Sequence, residues 1–239
     1  MNLVIDYGNS AAKAGVFEGH HMREKFVFTS AEEARAFVEA SPAEHVIVSS
    51  VSRDAEEVSS WANRARKKFI LRHTLPLPIT NGYATPATLG VDRLAGACGA
   101  QAMFPGKNCL VIDAGTCITY DALDAGGTYL GGGISPGLQM RFHAVHTFTR
   151  KLPLVGAVDH VDLIGTSTET CIQSGVVNGV LEELQGIIRR YREKFEDLQV
   201  IFCGGDTHFF ENQLKASIFA VPELVLSGLN SILIYNVNR

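Results

Sequence analysis

A short sequence pattern occurs twice in this chain, and this repeat constrains the fold more than any other feature. The two copies are Val4-Ile5-Asp6-Tyr7-Gly8-Asn9-Ser10 and Val111-Ile112-Asp113-Ala114-Gly115-Thr116-Cys117. Their aspartates stand at positions 6 and 113 of 239, so almost half the chain separates them. Each copy predicts a strand that ends in Asp, a small-residue turn and a second strand. A repeat of this length indicates two duplicated domains that face each other across a cleft.

The turn in each copy has the composition of an anion-binding loop. Glycine lets the backbone approach a ligand closely, and successive N–H groups with Asn, Ser or Thr side chains form a concave anion site. A carboxylate at the preceding strand end is well placed for Mg2+, which prefers one or two carboxylates with phosphate oxygens and water. One copy alone is typical of an ordinary hairpin turn. Two copies in register favour a site that grips a polyphosphate from both sides.

The rest of the chain alternates predicted strands and helices. Apolar runs predict strands at 2–6, 11–17, 22–28, 46–48, 69–71, 109–113, 118–121 and 200–202. Capping residues and apolar spacing predict helices that begin near residues 30 and 138, and helices over 54–68, 90–103, 169–194 and 222–237. The turn cluster at 105–108 separates two patterned halves. We therefore expect domains over 1–107 and 108–239.

The composition excludes several classes of function. A formal net charge of −4 and a pI of about 6.1 provide no basic surface for nucleic acid. The apolar stretches fall short of the roughly 18 residues that cross a bilayer, and Asp6 interrupts what would otherwise start a signal peptide. The five cysteines form neither a disulfide framework nor a CxxC metal pair. We expect a cytoplasmic enzyme or ATP-driven module that binds neither nucleic acid nor membrane.

Several motifs occur in a fixed order along the chain. They are Asp6-Tyr7-Gly8-Asn9-Ser10, Gly90-Val91-Asp92-Arg93, Asp113-Ala114-Gly115-Thr116, Gly132-Gly133-Ile134-Ser135-Pro136-Gly137, Thr149-Arg150-Lys151-Leu152-Pro153, Ile164-Gly165-Thr166-Ser167-Thr168 and Gln173-Ser174-Gly175. Together they resemble the type III pantothenate kinases, members of the actin/hexokinase/Hsp70-like ATPase superfamily. The resemblance implies an α/β fold of two duplicated ribonuclease-H-like (actin-like ATPase) domains, with mixed sheets flanked by helices.

The resemblance also implies a reaction and its site. The reaction is ATP-dependent phosphorylation of pantothenate to 4′-phosphopantothenate, the first step of coenzyme A synthesis, with Mg2+ and a monovalent cation (K+ or NH4+). Asp92 is the implied catalytic base, Asp6 the implied magnesium ligand and Asp113 the implied ligand of the monovalent cation. The implied ATP-binding residues are Asp6, Tyr7, Gly8, Asn9, Ser10, Ala11, Ala12, Lys13 and Thr116. The implied pantothenate-binding residues are Tyr83, Gly90, Val91, Asp92, Arg93 and Thr168.

Taken singly, these residues admit simpler roles. Asp92 can stabilise a helix N-terminus, and Arg93 can pair with it instead of binding the pantothenate carboxylate. Lys13 can be solvated, and Tyr83 can pack on the core. The alternative functions are another small-molecule kinase or phosphohydrolase of the same superfamily, and a regulatory protein that uses ATP as a conformational switch. A base beside an arginine favours the enzyme, because a switch needs no residue that activates a hydroxyl.

Two apolar stripes in the second half favour a homodimer. One comprises Leu138, Phe142, Val145 and Phe148, and the other comprises Ile172, Val176, Val180, Leu184 and Ile187. The stripes exceed what one thin domain is expected to need, although packing within the domain fits the pattern equally well. The resemblance implies a homodimer formed through this region, in which Thr168 reaches the pantothenate pocket of the partner.

Overall fold

The computed structural model describes residues 1–8, 11–211, 213–214 and 217–239, which form two compact units. Unit 1 comprises 1–106, 123–130 and 223–239, and unit 2 comprises 107–122 and 131–222. The chain first passes from unit 1 to unit 2 at the turn cluster that marks the predicted boundary. Segments 123–130 and 223–239, however, join unit 1 and not the second half, so the limits of the proposed duplicated domains stay a prediction. No helix in the described ranges is long and apolar enough to cross a membrane.

Unit 1 is built around a five-stranded sheet. Its strands are β1 (Asn2–Tyr7), β2 (Ala12–Glu18), β3 (His21–Phe28), β4 (His45–Ser50) and β5 (Lys67–Ile70), in the spatial order β3-β2-β1-β4-β5. Its helices are α1 (Ala31–Ala40), α2 (Ala55–Trp61), α3 (Val91–Met103) and α7 (Leu224–Val237). A short strand, β6 (Thr80–Asn81), pairs in parallel with residues 128 and 129 in the same unit.

The central strand β1 is covered on both faces. It pairs antiparallel with β2 and parallel with β4. Leu3 and Ile5 lie in one apolar core together with Trp61 of α2, whereas Val4 lies in another together with Leu229 of α7. This alternation is what the two-residue period of a strand dictates. Since β1 and β4 run in parallel, their carboxyl ends emerge at the same edge of the sheet.

Helix α7 packs against α3 at short range within unit 1. A Cβ at Gly228 would overlap the carbonyl oxygen of Ala95, and a Cβ at Gly99 would lie 2.6 Å from the carbonyl oxygen of Leu224. Small residues on both helices therefore let the two backbones approach each other. This contact fixes α3, the helix whose first turn carries Asp92.

Helix α2 is shorter than its sequence predicts. Asp54 caps its N-terminus by accepting a hydrogen bond from the Glu56 N–H at 3.1 Å, but the helix ends at Trp61 instead of residue 68. The N–H groups of Arg66 and Lys67 donate to the Glu44 carbonyl at 2.8 and 3.2 Å, which directs the chain into β5. The predicted extent of this helix was therefore wrong, because pairing with β4 competes successfully for residues 67–70.

Unit 2 contains a second sheet with long helices. Its strands are β7 (Cys109–Ala114), β8 (Cys117–Leu123), β9 (Thr128–Pro136), β10 (Gln199–Cys203) and β11 (Phe219–Ala220), in the order β11-β10-β7-β8-β9. The far ends of β8 and β9, within 123–130, belong to unit 1. Its helices are α4 (Leu138–Thr147), α5 (Thr168–Lys194) and α6 (Thr207–Glu211). Both sheets are of mixed direction, as the family resemblance implies.

The two predicted apolar stripes lie mostly in the core of unit 2 itself. The buried members are Leu138, Phe142, Ile172, Val176, Val180 and Leu184, while Val145 and Ile187 pack partly buried against the same core. Phe148 is the exception, with 87% of its surface exposed. The expectation that these stripes exceed what the core of one domain can bury was therefore wrong, because most of their side chains pack between the sheet and the helices of unit 2.

Candidate active site

The first repeat copy places Asp6 at the carboxyl end of β1. Its register partner on β2 is Lys13, and its register partner on β4 is Ser49, which is fully buried. Asp6 is half-buried itself. A lysine and a serine hydroxyl thus flank the carboxyl group at the edge of the sheet, in the arrangement of a polar site.

The charge state of Asp6 depends on Asp92. Burial, and next the negative charge of Asp92, raise the pKa of Asp6 from 3.8 to about 6, while Lys13 and the Ser49 hydroxyl lower it in part. The electrostatic coupling shows that unit 1 brings these two predicted site residues together. A partly buried carboxyl beside a second carboxylate favours a bound cation, since positive charge stabilises both ionised groups.

Asp92 is held in a defined orientation at the start of α3. Its Oδ1 atom accepts a hydrogen bond from the Arg93 N–H at 2.9 Å. Gly90 precedes the first turn of the helix, and a Cβ there would lie 2.5 Å from Asp92 Oδ1. The absence of a side chain at position 90 therefore leaves room for the carboxylate. Val91 is half-buried in the same turn, and Arg93 is buried with 8% of its surface exposed.

The turn of the first repeat copy, which follows β1, is held by a hydrogen bond from the segment after β4. The Gly8 N–H donates to the Ala11 carbonyl at 3.1 Å, and Ser52 Oγ donates to the Gly8 carbonyl at 2.7 Å. Ala12 is buried as the first residue of β2. The predicted ATP-binding residues Asn9 and Ser10 lie outside the described residues.

Tyr7 joins an aromatic and cationic cluster behind this turn. Its ring meets Trp61 edge to face with centroids 6.5 Å apart, and the Arg53 guanidinium lies 5.5 Å from the Trp61 ring centroid. Hydrogen bonds to Glu57 and then to Tyr7 raise the pKa of Arg53. Sequence reasoning assigned no role to Ser52 or Arg53. Their signal was that they follow β4, whose carboxyl end shares an edge with Asp6.

Tyr83 lies in unit 1 just after β6. Its backbone N–H donates a hydrogen bond to Asn81 Oδ1 at 3.0 Å, and its ring centroid lies 6.1 Å from that of Tyr129. The ring is half-buried, so a packing role and a role as a pocket wall are both compatible with its environment.

The second repeat copy forms a tight turn in unit 2. Asp113 is half-buried near the end of β7, and Thr116 is exposed between β7 and β8. A Cβ at Gly204 would overlap the Ala114 carbonyl and Asp113 Oδ1, and the φ of +96° at Gly204 also favours glycine. A Cβ at Gly137 would overlap the Gly115 carbonyl. Glycines thus allow two neighbouring segments to approach this turn.

Thr168 is the last of the predicted site residues to be located, and the fit of the predicted magnesium site follows from the carboxyl groups already described. Thr168 is exposed at the start of α5, after the Ser167 cap. Within 1–8, 11–211, 213–214 and 217–239, no group of three or more His, Cys, Asp or Glu side chains forms a metal cage. The coupled carboxyls of Asp6 and Asp92 nevertheless fit Mg2+, because this ion is commonly held by one or two carboxylates with substrate phosphates and water.

Solved structures share this architecture over nearly the whole chain. A protein from Campylobacter jejuni described as a Baf family transcriptional activator is 21% identical, with a TM-score of 0.67 and coverage of 99% of this chain and 100% of that one. An inorganic polyphosphate/ATP-glucomannokinase from Arthrobacter sp. strain KM is 14% identical, with a TM-score of 0.51 and coverage of 98% of both chains. At these identities the likeness shows the fold alone. The fold of the described residues is that of the actin-like ATPases and sugar kinases.

Sequence comparison narrows the class to one family. The profile of the type III pantothenate kinases matches residues 2–190. The type III pantothenate kinase of Christiangramia forsetii is 46% identical, covering 99% of both chains, and that of Phocaeicola vulgatus is 44% identical with the same coverage. The chain belongs to the type III pantothenate kinase family.

Proposed function

We propose that Asp92 is the catalytic base in the reaction of this family, the ATP-dependent phosphorylation of pantothenate to 4′-phosphopantothenate in coenzyme A biosynthesis. The observation that carries this assignment is the coupling of Asp92 to Asp6 in unit 1. A kinase requires a carboxylate that accepts the proton of the attacking hydroxyl close to the groups that hold the phosphates. The Arg93 N–H orients the Asp92 carboxylate, and the electrostatic interaction of Asp92 with Asp6 supports this role.

In the proposed reaction, the pantothenate hydroxyl oxygen attacks the γ-phosphorus of ATP. The bond from that phosphorus to the β,γ-bridging oxygen breaks, and ADP leaves. The Asp92 carboxylate takes the hydroxyl proton as the new O–P bond forms. Phosphoryl transfer needs little covalent help from the protein, so positioning and charge stabilisation supply most of the catalysis.

The first turn and its neighbours bind the ATP phosphates in this proposal. Tyr7, Gly8, Asn9, Ser10, Ala11 and Ala12 are the proposed phosphate-binding residues, and Lys13 contributes a positive charge from β2. Lys13 already counteracts the negative charge around Asp6, which supports its role beside an anionic ligand. Asp6 holds Mg2+, an ion that neutralises phosphate charge when bound.

In the second turn, Thr116 contacts ATP and Asp113 holds the monovalent cation. The exposed Thr116 hydroxyl and the half-buried Asp113 carboxylate supply oxygen ligands only, which suits phosphate recognition and a hard cation. The close approach of Gly204 to Asp113 keeps that carboxylate in a confined setting.

Pantothenate is bound by the start of α3 and by Tyr83 in this proposal. Arg93 pairs with the pantothenate carboxylate, since a guanidinium matches a carboxylate in bidentate geometry. Gly90 and Val91 line the site beside Asp92, and Tyr83 forms one wall. Val91, Asp92 and Tyr83 are all half-buried in unit 1, which leaves part of each side chain accessible to a ligand.

We also propose a homodimer formed through unit 2, with Thr168 completing the pantothenate site of the partner. The supporting observation is a set of large apolar side chains that a single chain leaves exposed. Their exposed fractions are 87% for Phe148, 81% for Leu163, 78% for Ile164 and 65% for Ile134. A contiguous patch of exposed apolar side chains marks an interaction surface, and Leu163 and Ile164 are adjacent in the sequence. Thr168 follows Leu163 and Ile164 closely in the sequence.

A coupled assay of ADP release tests the proposed activity. Pantothenate, a set of sugars and water are compared as acceptors, each with ATP and Mg2+. Release that depends on pantothenate supports the kinase, and mass spectrometry should find 4′-phosphopantothenate in the same reaction. Equal release with water alone would instead identify a phosphohydrolase, and turnover of a sugar would identify another kinase of the same fold.

A further inference from the structure

A network of polar side chains in unit 2 converges on Glu183, a residue of α5 outside every motif discussed above. Glu183 Oε1 accepts hydrogen bonds from Tyr120 Oη at 2.8 Å and from Ser135 Oγ at 2.6 Å. Glu183 Oε2 accepts a hydrogen bond from Arg141 Nη2 at 2.7 Å. One carboxylate thus connects α5 with β8, with the end of β9 and with α4.

The network is ionised and only partly shielded from solvent. The exposed fractions of the Glu183 and Arg141 side chains are 27% and 20%. Burial raises the pKa of Glu183, but hydrogen bonds from Ser135, Arg141 and Tyr120 outweigh it and hold the pKa below its usual value. A partly buried ion pair contributes little net stability compared with apolar packing, whereas it fixes the orientation of the groups that it joins. The ion pair therefore contributes mainly by holding the groups that it joins in a fixed orientation.

The network is connected to the second turn through residues 135–137. Arg141 Nε donates a hydrogen bond to the Pro136 carbonyl at 2.9 Å, so one guanidinium holds both Glu183 and the turn before α4. The next residue, Gly137, donates its N–H to the Thr116 carbonyl at 3.2 Å. The Gly115 carbonyl leaves no space for a Cβ at position 137. A shift of this segment is therefore transmitted directly to Thr116.

We propose that Glu183 is a positioning residue for ATP, which sets the Gly115–Thr116 turn by holding residues 135–137 through Ser135 and Arg141. The inference rests on the proposed ATP contact of Thr116. Glu183 acts only through these neighbours and takes no part in the proton transfer. Its loss should consequently weaken the use of ATP and leave the use of pantothenate unchanged.

The test compares Glu183→Gln with Glu182→Gln. Both remove one carboxylate charge from adjacent positions of α5, but Glu182 is exposed. For Glu183→Gln we expect KM for ATP to rise on the order of 10-fold with an unchanged KM for pantothenate, because small misplacements of binding groups cost rate and affinity steeply. Calorimetric affinity for ADP should fall in parallel, and Tm reports whether the fold is intact. Glu182→Gln should match the parent protein in all of these measurements.

Arg141→Lys is the second variant, and it keeps the test decisive if Glu183→Gln does not fold. Lysine cannot hold the Pro136 carbonyl and the Glu183 carboxylate in the same fork-like geometry, so the same selective rise of KM for ATP is expected. A folded variant with an unchanged KM for ATP, or an equal loss toward both substrates, overturns the proposal.

Thr116→Ala separates this inference from its premise. If Thr116→Ala weakens ADP binding and Glu183→Gln does not, the positioning role is wrong and the proposed ATP contact stands. If Thr116→Ala leaves ADP binding unchanged, the proposed contact is wrong and the positioning role falls with it. Formation of 4′-phosphopantothenate by the parent protein is measured separately and depends on neither result.

Discussion

Asp6, at the end of β1, has a raised pKa because it is buried and because the Asp92 carboxylate, in the first turn of α3, lies within electrostatic range of it. Two elements that are distant in sequence thus bring like charges within electrostatic range of each other. Like charges ionise together only at a free-energy cost, which a bound cation or proton offsets. The pair does not stabilise the unliganded fold at neutral pH, which supports the proposed role of both residues in the active site.

Asp92→Asn should abolish most of the turnover and leave ATP binding intact. Loss of a general base typically lowers kcat by on the order of 10²–10⁴-fold, whereas the phosphate-binding turns are untouched. Steady-state kinetics and calorimetric ATP binding measure the two effects. Asp197→Asn, at a side chain with 83% exposure, is the matched control and should be fully active. Near-normal turnover of Asp92→Asn would exclude Asp92 as the base.

The pKa of Asp6 should fall in the Asp92→Asn variant. The parent value of about 6 contains a contribution from the Asp92 charge, which the amide removes. Carboxyl NMR titration of the unliganded protein measures the change. By linkage, a carboxyl with a raised pKa stabilises the fold when it is protonated, so Asp6 favours the folded state as the pH falls through about 6. The variant should lose part of this gain, and an Asp6 pKa that does not move would refute the coupling.

Gly90→Ala should lower kcat clearly and change Tm only slightly. The new Cβ would lie 2.5 Å from Asp92 Oδ1, so the carboxylate must move out of its present position. A displacement of about 1 Å in a reacting group can reduce the rate by up to about 10²-fold. Gly186→Ala is the control, because no heavy atom lies within 4 Å of a Cβ built there. Full activity of Gly90→Ala would show that Asp92 needs no such space.

Asp113→Ala should weaken activation by K+ or NH4+ and raise the concentration of ATP required. The reason is that the Asp113 carboxylate, near the end of β7 and three residues before Thr116, is the proposed ligand of a cation that assists phosphate binding. Initial rates are measured across KCl and NH4Cl, with choline chloride at equal ionic strength to separate specific binding from screening. If the parent enzyme does not respond to monovalent cations, the assignment of Asp113 is wrong.

A mixture of two inactive variants should regain activity if each site is completed by the partner subunit. Asp92→Asn and Thr168→Ala damage different parts of the proposed shared site, so a mixed dimer retains one intact site. Activity is measured after subunit exchange, which differently tagged chains verify. Sedimentation should show a dimer. An active monomer, or no recovery despite proven exchange, would contradict the shared site.

The sequence was most informative where structure depends on local patterns. The strand around Asp6, the start of α3 at Val91 and the long helix α5 were predicted close to their observed limits. Each is defined by neighbouring residues, either through apolar spacing or through a turn or capping residue. The family motifs added the candidate residues of the site, which stay a prediction, because the motifs combine short patterns from distant parts of the chain.

The sequence was least informative where long-range contacts decide the outcome. The basic residues after Trp61 suit both a helix end and an edge strand, and only pairing with β4 selects the strand. The apolar stripes on α4 and α5 do not indicate how much apolar surface the sheet of unit 2 provides to bury them. Likewise, Glu183 reads as one more polar residue of a long helix, since its partners Tyr120 and Arg141 come from other elements.

The packing of α7 on α3 has a consequence for the order in which the chain folds during synthesis. Residues 1–106 leave the ribosome long before 224–237, yet both belong to unit 1. Until α7 arrives, the surface of α3 around Ala95 and Gly99 lacks the helix that covers it. Unit 2 is complete by residue 222 and can fold while unit 1 still waits for its last helix. Unit 1, most of which is synthesised first, is therefore the unit that completes its folding last.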